Sequence, residues 1–122
     1  MVRQWIYSNK KSAFNKMGAG LGPNYGFVYA ARIDVMQGFT LLKIGATRSP
    51  YSRLSNMGSK ASLFCVSPPC INFWENEELL HEFFAEYRVP ARPHQGARAE
   101  FFNLSMPYFI EHLPVLTYAQ EK

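Results

Sequence analysis

Apolar residues fall along this chain in two different periods. "GFVYAARID" (26–34) is dense in β-branched and aromatic residues and predicts a strand. "FTLLKIG" (39–45) predicts a second, and the short "VMQG" link makes the pair a hairpin. "ASLFCVS" (61–67) predicts a third strand, ended by Pro68 and Pro69. Between them, Ser49 as cap, Pro50 at the first helical position and Gly58 past the end bound a short helix over about 50–57. From Asn72 the period lengthens, and a helix is predicted over about 73–87. "VPARPHQGAR" (89–98) reads as a loop, "EFFNL" (100–104) as a short strand or extended segment, and 106–113 as a last helix after Ser105. The pattern describes an α+β domain, a small antiparallel sheet of three or slightly more strands flanked by helices. It covers 26–116, after a basic N-terminal arm and Gly-rich loop (1–25) and before a loose tail (117–122).

The long helix carries five of the chain's nine acids, in "ENEELLHEFFAEYRV". With Phe73 at zero and 100° per residue, Leu80 falls at about 340°, Phe84 at about 20°, Tyr87 at about 320° and Phe83 at about 280°, which makes a core stripe. Glu75, Glu82 and Glu86 fall at about 180–220°, and Glu78 at about 140°, on the flank. Glu77 falls at about 40°, inside the stripe, with His81 one turn on at about 80°. A carboxylate on such a face needs a partner. Two readings stand: an ion pair with Arg or Lys, or a divalent cation, since Mg²⁺ sites often use one or two carboxylates plus water and phosphate.

Composition narrows the class. At 122 residues the chain is one domain, long enough for a core without disulfides. No apolar run nears a membrane span, and the N-terminus has no continuous apolar region of a secretory signal, so an intracellular setting, cytosolic or nuclear, is expected. Cys65 and Cys70, in "CVSPPC", lack the spacing of a zinc site and read as reduced thiols. The net charge is +4, and its placement is uneven. Arg3, Lys10, Lys11 and Lys16 in the arm, and Arg88, Arg92, His94 and Arg98 after the long helix, are basic stretches without acids. That distribution suits either ordinary solvation or a polyanionic partner such as nucleic acid.

Strand alternation puts Tyr29 on one face with Phe27, Ala31 and Ile33, and hairpin pairing brings it near 43–45. Gly45 leaves room for close approach. Arg53 stands on the short helix that leaves the second strand. Tyr29, Lys43, Arg53 and Glu77 are thereby expected to converge on one concave surface.

The ordered set "FVYAA", "KIG", Arg53 and Glu77 resembles the GIY-YIG nuclease superfamily. It is closest to the phage- and large-virus-associated branch with a KIG second motif. "EELLH" (77–81), "RV" (88–89) and "EFF" (100–102) extend the resemblance over about 26–113. The resemblance implies a metal-dependent endonuclease that cleaves DNA, or alternatively RNA, with one Mg²⁺ or Mn²⁺ and no membrane partner. By position, it implies that Tyr29 activates or orients the attacking water, Arg53 clamps phosphate, Glu77 binds the metal and Gly45 is the motif glycine. His81 is then a proton-transfer or structural residue. Lys43 stands where the superfamily's usual motif has a second tyrosine, and Phe27-Val28 replace the usual Gly-Ile. Arg48, Arg88, Arg92, Arg98, Lys10 and Lys11 are expected to hold the substrate backbone. The alternative is a module that keeps the fold and binds nucleic acid or protein without cleaving.

Overall fold

In a computed structural model, residues 5–18, 22, 24–36, 39–89 and 101–119 are described. Among these, one antiparallel sheet is built from β1 (Ile6–Ser8), β2 (Phe27–Met36), β3 (Phe39–Thr47), β4 (Ala61–Val66) and β5 (Phe101–Phe102), in the order β1-β4-β2-β3-β5. Three α-helices flank it: α1 (Pro50–Asn56), α2 (Phe73–Phe83) and α3 (Met106–Glu111). The α+β class expected from the sequence is therefore the one observed, and β5 lies within the segment 100–104 read as a short strand or extended piece. β1 is the strand not expected: it is a short edge strand with non-local pairing, and periodicity over three residues gives no signal for such a piece.

The hairpin forms the centre. β2 and β3 pair from Phe27–Thr47 to Met36–Phe39, with an irregularity between Asp34 and Met36. Of the link expected to turn over 35–38, Val35 and Met36 belong to β2; Gln37 and Gly38 lie outside the described residues, as do Arg3, Arg92, His94, Arg98 and Glu100. β4 closes the other side of β2, with Tyr29 opposite Val66 and Ala31 opposite Phe64.

Strand alternation sorts the core into two layers. Phe27, Tyr29, Ala31, Phe64 and Val66 point to one face, where Phe14 and Leu54 of α1 cover them. Val28, Ala30, Leu42, Ile44 and Cys65 point to the other, under Phe73, Leu80 and Phe84 of the α2 segment and Met106 and Phe109 of α3.

Four sequence expectations change. Residues 1–24, read as an arm and loop, contribute β1, which pairs with β4 at Ile6–Val66, and a 3-10 turn, Lys11–Phe14, whose Phe14 is fully buried. The segment after Leu116, expected to be loose, is tied down: the Trp5 indole donates to the Tyr118 hydroxyl at 2.9 Å, the Ala119 amide to the Pro69 carbonyl at 2.8 Å, and the Asn76 amide to the Thr117 carbonyl at 2.8 Å. The long helix stops at Phe83 and tightens into a 3-10 turn at Ala85–Tyr87. Phe83 is the last residue of α2 and is 51% exposed: at about 280° it stands roughly 80° from the centre of the core stripe in which it was expected, on the helix flank. Ser49 makes no side-chain cap of α1, whereas Ser105 does cap α3 by accepting from the Tyr108 amide. Gly58 behaves as expected, with φ +71 just past α1, in the left-handed region that favours glycine.

Candidate functional site at the end of the second hairpin strand

The single concave surface expected of Tyr29, Lys43, Arg53 and Glu77 is divided in the structure: Tyr29 and Lys43 share the face that α1 covers, and Glu77 stands on α2, packed against the other. Tyr29 lies directly opposite Gly45 in the ladder. A Cβ built on Gly45 would stand 2.5 Å from the Tyr29 hydroxyl, so the phenol lies across the space a side chain would occupy. Gly45 is required there for contact, not for backbone freedom. Tyr29 is 2% exposed. Lys43, two residues earlier on the same face, is half-buried, between Ala31 on β2 and Phe101 on β5. α1 packs on this face through Leu54, while its Arg53 is exposed.

α2 packs on the other face, and two contacts fix how it runs. His81 Nε2 lies 2.9 Å from the Ile44 carbonyl oxygen. A carbonyl can only accept, so Nε2 carries the proton and, in the neutral ring, Nδ1 does not. Eight residues earlier, the Phe73 ring lies beneath the Arg48 guanidinium at 5.8 Å. On its other side the Phe73 ring fills the space of a side chain on Gly26.

Four residues of strand span about 13 Å and eight residues of helix about 12 Å. α2 therefore runs antiparallel to β3, with His81 level with Ile44 and Phe73 level with Arg48. Glu77 lies on α2 between these two contacts, one turn after Phe73 and one turn before His81. It is 8% exposed, while Glu75, Glu78, Glu82 and Glu86 are all exposed. The predicted separation of one inward acid from four outward ones is the one observed.

Tyr29 and Glu77 thus approach the same stretch of β3 from the two faces of the sheet. The outer edge of β3 joins them. β5 covers that edge at Leu42 and Lys43, and beyond Lys43 no described strand lies beside it.

Glu77 and Tyr29 each have a bonding or electrostatic partner within the fold. No buried side-chain nitrogen or oxygen among the described residues lacks a hydrogen bond. The described residues hold no group of three or more His, Cys, Asp or Glu able to share a metal. A structural zinc site of four protein ligands does not fit such a donor set. A hard cation held by one carboxylate, with water and phosphate completing its shell, does fit.

The remaining expected substrate contacts are dispersed. Lys11 donates to the Gly58 carbonyl at 3.0 Å, pinning the N-terminal segment to the far end of α1. Lys10 and Arg88 are exposed, and Arg88 forms an isolated bridge with Phe102. Sequence reasoning missed Phe73 as a bearing for Arg48, although an aromatic at the start of α2 was visible. It also missed Gly26, which has no sequence signal apart from its glycine. Cys65 and Cys70 are buried thiols, and burial pushes the Cys65 thiol up to about 12.

A family model for the T5orf172 domain matches residues 26–114. The chain belongs to the T5orf172 domain family. This phage-associated domain is described as GIY-YIG-like, which agrees at that level with the motif order found in the sequence. The T5orf172 match takes in β2 to α3, and with them Tyr29, Lys43, Gly45, Arg53, Glu77 and His81. No curated protein and no solved structure matches the chain. No described helix is long and apolar enough to cross a membrane.

Proposed function

We propose that this T5orf172 domain is a divalent-metal-dependent endonuclease that hydrolyses DNA phosphodiesters at the exposed end of β3. The observation that carries the reading is the burial of Glu77. It is the inward acid of a helix whose His81 bonds the Ile44 carbonyl, next to the glycine over which the Tyr29 hydroxyl lies.

Hydrolysis adds water to phosphorus, breaks one P–O bond and leaves a proton to be delivered to the departing oxygen. Negative charge builds on the phosphoryl oxygens as this happens. Arg53, exposed on α1, is the guanidinium suited to fork onto two of them. Tyr29, almost wholly buried, suits orienting water at its own face of β3 rather than touching the substrate chain. Lys43, half-buried on the Tyr29 face, takes the role of moving the proton. His81 acts through its hold on the Ile44 carbonyl, which keeps Glu77 at its level. Glu77 would hold Mg²⁺ or Mn²⁺, and the bound ion would supply further charge stabilisation.

One observation favours a second reading, a module that binds nucleic acid without cutting. Lys43 occupies the place of a second phenol, so the site has one tyrosine at most. Supercoiled plasmid incubated with Mg²⁺, with Mn²⁺ and with chelator separates the two. Nicking by wild type that needs the ion and is lost in Arg53→Ala supports the nuclease. Binding without nicking under every ion gives the second reading.

A further inference from the structure

Trp74 is 54% exposed, although it starts a buried helix and neighbours the core ring of Phe73. Its position has three features. It lies at about 100° on the helix wheel, beside His81 at about 80° and Glu77 at about 40°, and so on the flank turned towards the outer edge of β3. Its ring lies 4.9 Å from Phe73, tilted by 36°. The same Phe73 carries the exposed Arg48 guanidinium. An indole and a guanidinium are therefore mounted on one buried ring, one helical turn from Glu77.

The charges around Trp74 choose between kinds of contact. Glu75 and Glu78 are exposed beside it and repel a phosphate chain laid over α2. A nucleobase carries no charge and presents a π-face to any aromatic ring. Arg48, on the other side of Phe73, is placed for the phosphate that such a base brings with it. In an intact duplex the base faces are stacked on each other and closed to a side chain.

We infer that Trp74 is a stacking platform for an unpaired nucleobase next to the cleaved phosphate, and that the preferred substrate is single-stranded or locally unpaired nucleic acid. The inference rests on the nuclease or binding reading above and adds the substrate form to it.

Tryptophan emission tests it directly, because the only other tryptophan, Trp5, is half-buried and hydrogen-bonded to Tyr118. A mixed-sequence single-stranded oligonucleotide is titrated in chelator, so that nothing is cut. Wild-type emission is expected to fall, and that of Trp74→Phe to stay unchanged. By anisotropy, Trp74→Ala should bind the single strand about tenfold more weakly, with Trp74→Phe near wild type and duplex affinity changed less than about twofold. Replacing the stacked nucleotide by an abasic one should abolish the difference between wild type and Trp74→Ala. Equal losses on single strand and duplex, quenching that persists in Trp74→Phe, or no effect of Trp74→Ala on a protein that binds the strand would each overturn the platform alone. Wild type that binds neither strand nor duplex would overturn the nucleic-acid reading with it. Circular dichroism melts of each variant confirm that the fold is kept.

Discussion

The outer edge of β3 is finished in two different ways. At Leu42 and Lys43 it is closed by backbone pairing with β5, and the Phe102 side chain is buried beneath. From Ile44 to Arg48 it is attended by side chains of α2 instead: His81 on a carbonyl and Phe73 under a guanidinium, with Glu77 between them. Strand pairing satisfies every amide but leaves no room for a ligand. Side chains spaced along a helix satisfy one carbonyl at a time and leave the intervening groups able to act. The first half of the edge is expected to control stability alone, the second half stability and function together.

Removing the covered half should have the largest effect on stability. Phe102→Ala opens a cavity where a fully buried ring stood and should cost about 3–5 kcal/mol. Denaturant unfolding measures that loss. The Phe102 ring also lies 5.3 Å from the His81 ring, so nicking per folded molecule should fall by no more than it does in His81→Ala.

Gly45→Ala attacks the open half. The new Cβ would meet the Tyr29 hydroxyl, and a buried ring must shift. Overpacking of this kind costs roughly 1–3 kcal/mol, and displacement of the phenol should lower cleavage on the order of a hundredfold. The comparison breaks if stability falls and activity does not.

His81→Ala should cost about 1 kcal/mol, because it leaves the Ile44 carbonyl without its donor. The loss of Glu77 positioning should lower cleavage by about tenfold. His81→Gln, whose amide can donate, should recover part of both. Full recovery of stability with no recovery of activity would mean that the ring itself takes part in proton transfer.

The smallest effect serves as a control away from the edge. The Cys65 thiol titrates near 12 in the fold against 9.0 when free, because burial disfavours the thiolate. Between those values the folded state holds more protons than the unfolded one, so stability falls as pH rises. The contribution is complete below about pH 9 and lost as pH climbs through about 12. Cys65→Ala should flatten the decline of the thermal midpoint over that window and leave cleavage at neutral pH unaltered.

The same contrast between local and non-local determinants decides what the sequence revealed. The hairpin was legible because its register follows from a short link, which brought Tyr29 close to 43–45 without any other strand being known. The inward turn of Glu77 was legible because eleven residues of regular helix hold the 100° step. Phe83 was misread because a residue roughly 80° from the centre of the stripe stands on the flank, where the helix leaves it exposed. β1, and the bonds of Trp5, Asn76 and Pro69 to the C-terminal segment, depend on groups far apart in the chain and leave no periodic trace. The candidate site residues were named from motif order. Their placement on two faces, met across one strand edge, required the bearing of Arg48 on Phe73 and of His81 on Ile44, which no spacing discloses.

Glu77 and Glu78 are adjacent in sequence, equal in charge and opposite in burial, and their comparison tests the central claim most directly. Initial nicking rates of wild type, Glu77→Gln and Glu78→Gln would be measured on supercoiled plasmid with Mn²⁺. The predicted result is a loss of at least about a hundredfold for Glu77→Gln, with Glu78→Gln close to wild type and both variants folded. A folded Glu77→Gln that nicks like wild type, or a Glu78→Gln that alone is dead, would contradict it.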